Sequence, residues 1–232
     1  MGNYTDAGTM ANDVIESKKF IFSDTTDLFD PAAYPEHIFS VVSTGITDKR
    51  SGGYSDNYAP GVPTCQLDRA YWASIKGNVT DKRLQMLQAV NAGAANEFVK
   101  SNQFNAPFFN VPVFHLTQMM LIRAESYAMR NSNLTTAIDD INKIMTRAYT
   151  DNSKLVLSSA TATDVLAAVR AERRMELLFQ GDRIHEVKRL GAIEGQNLFV
   201  HGHPWNCKGI IMQFPITEKT SIFDINPTGG CN

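Results

Sequence analysis

The densest chemistry in the sequence lies at Asp164–Gly191, where six Lys/Arg and five Asp/Glu interleave with apolar residues over 28 positions. Glu172 and Glu176 stand four apart. A helix there puts both carboxylates on one face, where two such groups can share a proton or a metal ion. The plainer reading, with Arg173 and Arg183 close by, is bidentate Arg–carboxylate pairing at a helix seam. His185-Glu186 begins like the HExxH of zinc proteases, but Arg189 stands at the second histidine position and cannot ligate zinc there. His201, His203 and Cys207 are zinc-type donors without a fourth at a sensible spacing, and they read as a surface loop. No GxSxG, Walker A or GxGxxG pattern occurs, so hydrolase and nucleotide-binding readings have no motif behind them. Tyr54, Tyr58, Trp72 and Trp205 remain as rings that can stack on the C–H face of a sugar. Their plainer role is local packing, to which Tyr71 is assigned.

The elements that position these residues read mainly as helices. Thr5–Lys19 carries apolar residues at helical spacing. Residues 20–62 are punctuated by Asp30-Pro31, Tyr34-Pro35, Gly52-Gly53 and Pro60-Gly61. They read as loop, with a short strand at His37–Val42. Pro63-Thr64 opens a predicted helix over Cys65–Ile75, with Thr64 as its cap. Residues 84–110 are ambiguous: Leu84, Leu87, Gln88 and Asn91 fit a helix, whereas 102–113 reads as extended. Val113–Met129 and a partner beginning at Thr135 or Thr136 form an antiparallel hairpin of tetratricopeptide type, which must stack on something to bury its face. A helix from Asp164, a break at Gly181 and a second helix to Gly191 follow. Ile210–Ile216 is a short apolar run.

Composition excludes several classes. The chain has 232 residues, 43% hydrophobic and 20% charged, with net charge −2. That suits a real core and gives no reason to expect nucleic acid as a partner. No apolar run approaches the roughly 18 residues of a membrane span. The first 20 residues lack a signal-peptide core, and Asp6 spoils a myristoylation reading of Gly2. Cys65, Cys207 and Cys231 are odd in number and far apart, with no CxxC. They make no disulfide framework, and at least one thiol is free.

Several segments resemble the SusD/RagB family in that family's own order. They are PTCQLDRAY at 63–71 with Asp81-Lys82-Arg83, HLTQMMLIRAESYA at 115–128, AIDDINKIMTRAY at 137–149, ERRMELLFQGDR at 172–183, EVKRLG at 186–191, FPITEK at 214–219 and NPTGG at 226–230. Gln118 and Gln180 stand where the family usually has Glu, Met145 replaces an Arg and Thr217 a Pro. The resemblance implies a mainly all-α, tetratricopeptide-like fold with long irregular loops. Residues 1–232 would be a single domain, the family's C-terminal half, without the N-terminal half that carries the signal peptide and lipidated cysteine. It implies a non-enzymatic surface protein of the outer membrane, anchored by a lipid absent from this chain. Such a protein captures a glycan, or less often a peptide, for a SusC-like TonB-dependent transporter, and needs no cofactor or metal. On this view Glu125, Glu172, Arg173, Glu176 and Arg183 are structural charge pairs, and Tyr54, Tyr58, Trp72 and Trp205 are the ligand-facing candidates. One alternative is an interaction module that packs on the transporter and has no ligand site of its own. Another is a glycan-active enzyme, which needs two carboxylates about 5–9.5 Å apart across a cleft.

Overall fold

A computed structural model describes residues 2–45, 48, 52–59, 61–200, 202–210 and 229–231. The chain divides into two compact units, Asn3–Gln180 and Met1–Gly2 with Gly181–Asn232.

In the larger unit, α1 (Tyr4–Glu16), α4 (Leu116–Met129), α5 (Leu134–Ala148) and α6 (Ala162–Glu176) form the helical body. Between α1 and α4 run β1 (His37–Val41), α2 (Gly52–Tyr58), α3 (Arg69–Ile75), β2 (Leu87–Val90), β3 (Phe98–Ser101) and β4 (Val111–His115). The strands make only two-stranded antiparallel ribbons, β1 with β4 and β2 with β3. The α4–α5 turn passes through Asn131 and Asn133, both at positive φ, a conformation Asn tolerates better than most side chains. A capping box between Thr161 and Asp164 starts α6, satisfying two orphan N–H groups of its first turn. The hairpin buries its face against α1 and α6. Leu121, Ala124, Ala137, Ile141, Ile144, Val165 and Val169 are fully buried in the common core. Small residues at 124, 137 and 148 let these helices approach closely.

Four expectations about the elements need correction. The predicted helix at 65–75 begins only at Arg69, because Asp68, not Thr64, accepts the capping bond, from Tyr71 N–H. The loop reading of 20–62 missed α2, since Gly52-Gly53 looks like a turn. Its register is set by Tyr54 and Tyr58 packing four apart on one face. The helical option at 84–91 gives way to a 3-10 turn and β2, whose partner β3 supplies the ladder bonds. The break after α6 is longer than one glycine. The helix is capped at Leu177, Phe179 takes φ +63°, and Gly181 takes φ +78°.

The smaller unit holds α7 (Asp182–Glu194) and the short ribbon of β5 (Phe199–Val200) with β6 (His203–Pro204). Cys207 and Cys231 form a disulfide, Cα atoms 5.2 Å apart, where the sequence reading expected no framework. Spacing alone cannot reveal a pair 24 residues apart in sequence that the fold brings together. Cys65 is free. The 211–216 part of the apolar run, FPITEK and most of NPTGG lie outside the described residues.

Trp205 lies against α7 at Gly191. A Cβ there would fall 2.3 Å from Trp205 Cδ2, so Gly191→Ala drives the indole off the helix. The expected cost to this unit is about 1–3 kcal/mol. A red-shifted tryptophan emission in a Trp72→Phe background, with a lower urea midpoint, checks it. An unshifted spectrum contradicts it.

Candidate functional site

The carboxylates singled out by spacing are at the centre of a buried ionic network in the larger unit. Glu176 accepts from Arg147 Nη2 and, at 3.1 Å, from Arg83 Nη1. Arg83 holds Asp81 bidentately at 2.9 and 2.8 Å and pairs with Glu172 Oε2 at 2.8 Å. Tyr149 Oη donates to Glu172 Oε1 at 2.7 Å. Arg147 reaches Glu36 at 2.5 Å, the Ser23 carbonyl at 3.1 Å and Thr117 Oγ1 at 3.0 Å. Burial alone would raise the Glu176 carboxyl, but Arg147 and Arg83 outweigh it and hold the group below its ordinary range. Glu36 goes the other way, raised chiefly by burial.

The helical seam of Glu172 and Glu176 is therefore filled by arginines from elsewhere, Arg83 and Arg147. Glu125 meets Arg170 at 3.1 Å. Arg173 is half-buried on α6, and Arg183 pairs with Glu186 within α7 at 2.6 Å. Arg83, Arg147, Glu36 and Asp81 were missed as members. In the sequence the Asp81-Lys82-Arg83 and Thr146-Arg147-Ala148 segments stand out only as family marks, and Glu36 sits beside a proline in a turn-rich stretch. Of that donor set, Cys207 is committed to its disulfide, and His201 lies outside the described residues. Among the described residues no cluster of three or more metal-type donors occurs, and no helix is long and apolar enough to cross a membrane.

The ring candidates fall into separate places. Tyr54 and Tyr58 stack on each other, 5.9 Å apart at 24°, and lean on Phe104 at 5.2 and 5.0 Å. Phe29, Phe109 and Val111 complete that second core. Phe179, turned by its positive φ, meets Tyr58 edge-on at 5.3 Å. Both phenols are raised by burial, Tyr58 to about 12 with Cys65 beside it. Each tyrosine is half-buried, so each keeps an exposed portion. Trp72, on α3, is half-buried apart from this cluster. Its indole, after Gly93 N–H and Lys76, helps hold the Glu97 carboxyl low. Trp205 belongs to the smaller unit.

A cavity of about 260 Å³ opens between the end of α3, the turn to Asp81, Tyr149 and α6. Tyr71 lines it, with the Arg174 guanidinium 3.7 Å over its ring. A second cavity of about 420 Å³ lies between the end of α1, residues 18–22, α4 and α5, with Phe20, Phe22 and Met120 in its wall.

A tetratricopeptide-type hairpin flanked by helices, with a buried Arg–Glu network and half-buried rings on α2 and α3, defines a helical scaffold. The SusD family model matches residues 88–206, just over half of the sequence. The chain belongs to the SusD family. A SusD superfamily protein from Bacteroides vulgatus is similar in structure, with TM-score 0.69 and 18% identity over 97% of this chain and 54% of that one. A SusD-like carbohydrate binding protein from the same species matches with TM-score 0.61 and 17% identity, over 79% and 41%. The surface glycan-binding protein A of Bacteroides uniformis matches with TM-score 0.61 and 14% identity, over 83% and 46%. These likenesses show the mainly α-helical SusD-like fold. The chain spans about half the length of the structures it matches. No curated protein matches it.

Proposed function

We propose that this chain is the C-terminal half of a non-catalytic glycan-binding protein of the outer-membrane surface, which delivers an oligosaccharide to a SusC-like transporter. Membership of the SusD family carries this reading. Two structural neighbours are described as carbohydrate- or glycan-binding, which supports a sugar as ligand. The Cys207–Cys231 disulfide suits an oxidising compartment, as cysteines of cytosolic proteins stay reduced. Glu172 and Glu176 are both engaged by arginines, which suits a structural role better than acid–base work. The half-exposed Tyr54, Tyr58, Trp72 and Trp205 are the stacking platforms of this proposal.

Calorimetry against a panel of neutral and acidic oligosaccharides tests it. Binding to at least one, without release of shorter products, is the expected result, and alanine at a contacting ring costs tenfold or more in affinity. Absence of binding to every glycan, with retained binding to the transporter, favours an interaction module instead. That second reading has one observation behind it. Phe39 and Phe114 pair across the β1–β4 ribbon and stay 56% and 48% exposed, an apolar face of the kind that marks contact with another protein.

A further inference from the structure

We infer that the cavity at Tyr71, Asn78, Tyr149, Glu172, Arg174 and Met175 is a subsite for one neutral, polyhydroxylated ring, an inference that rests on the glycan-binding reading. All of its walls belong to the larger unit.

Size sets the first limit. Pockets for drug-sized ligands run from about 300 to 1,000 Å³, so about 260 Å³ suits a single sugar ring and not an extended chain.

Unused hydrogen-bonding capacity is the second observation. Tyr71 Oη donates to Met175 Sδ at 3.7 Å, and a thioether is a weak acceptor. Glu172 Oε2 is occluded and committed to its ion pair with Arg83 Nη1 at 2.8 Å, so it is not part of that capacity. Asn78 uses its Oδ1 to accept from Thr80 Oγ1 at 3.2 Å, which leaves its amide N–H groups to donate. A phenol and an amide with capacity to spare line one small cavity. Hydroxyl groups, which donate and accept together, are the ligand atoms that satisfy both.

Charge sets the class. Asp81 and Glu172 line the cavity and are already matched by Arg83. An anionic ligand meets these two carboxylates. A cationic one finds them taken and meets Arg174, stacked on the Tyr71 ring. A neutral polyol disturbs neither. The Tyr71 and Tyr149 side chains line the same cavity and supply aromatic edges for the polyol's C–H groups.

The test uses the full chain, labelled with ¹⁵N, titrated with methyl glycosides and short neutral oligosaccharides of glucose, galactose, mannose and xylose. Glucuronic acid and glucosamine serve as charged probes. Amide shifts at Tyr71–Asn78 and Ala171–Met175 are expected with a neutral sugar. Tyr71→Phe and Asn78→Ala each weaken binding about tenfold, the worth of one hydrogen bond of about 1.4 kcal/mol, while circular dichroism stays native. Neutral sugars that bind with shifts only at α2, Trp72 or Trp205, and with unchanged affinity in both variants, overturn the subsite and leave the glycan-binding reading standing. Tighter binding of either charged probe at these amides overturns the neutral assignment. No shift with any sugar at millimolar concentration removes both readings.

Discussion

Glu176→Gln lowers the stability of the larger unit by about 3–5 kcal/mol, the cost of removing one partner from a buried ion pair. The Glu176 side chain is fully buried and joins two arginines that otherwise belong to separate groups. Arg83 has Asp81 and Glu172 on one side, and Arg147 has Glu36 on the other. Gln keeps one acceptor oxygen but turns an NH₂ toward a guanidinium N–H, so a donor faces a donor with no water to intervene. For a chain of this length the loss corresponds to roughly 10 °C in Tm. Glu125→Gln is the control. Its partner Arg170 keeps 17% of its side chain exposed, and the expected cost is smaller. Thermal and urea unfolding of both variants decide the matter. Equal stabilities of Glu176→Gln and the parent chain contradict the view that this carboxylate joins the two arginines.

The contrast between what this stretch displayed and what it needed shows where sequence reading stops. Glu172 and Glu176 were legible because a four-residue spacing on an amphipathic helix is a local property. Their partners were not, because Arg83 and Arg147 lie 93 and 29 residues away from Glu176 in the chain. The α4–α5 hairpin was legible for the same local reason, its apolar residues recurring at three and four. α2 was not, since seven residues with two Gly and no strong helix former have little helix propensity and are held by aromatic packing from Phe29 and Phe104. The Cys207–Cys231 pair and the Tyr71 cavity share this character. Both are assembled from distant segments, and no spacing within one segment announces them. Order along the chain, as in the family's segments, compensated for that blindness where residue chemistry alone did not.

Acidification from pH 6.5 to 4 destabilises the larger unit by about 3 kcal/mol through His115 alone. His115 is fully buried and caps α4. Its Nδ1 accepts from Gln118 N–H at 3.3 Å, while Nε2 lies 3.1 Å from Gln180 Oε1 and donates to it. A proton on Nδ1 removes the cap and puts a positive charge at the positive end of the helix dipole. Burial is the largest cause of its depressed pKa. Glu176 pulls the other way, Arg147 and His37 push with burial, and the balance is about 4. The folded pKa is below the unfolded value near 6.5, so between the two the unfolded chain binds more protons. Stability from His115 is complete above 6.5 and is lost as pH falls toward 4. Glu36, raised by burial, acts in the opposite sense and blunts the slope. Glu176, lowered by its arginines, adds a further loss below its unfolded value of 4.5. His115→Asn separates these contributions, since Asn keeps a capping oxygen without titrating in this range. Urea unfolding at pH 6.5, 5.5 and 4.5 should show the parent chain losing stability across the series and the variant losing less, by close to one proton's worth of slope. Parallel curves for the two proteins would mean that His115 is not the group that titrates.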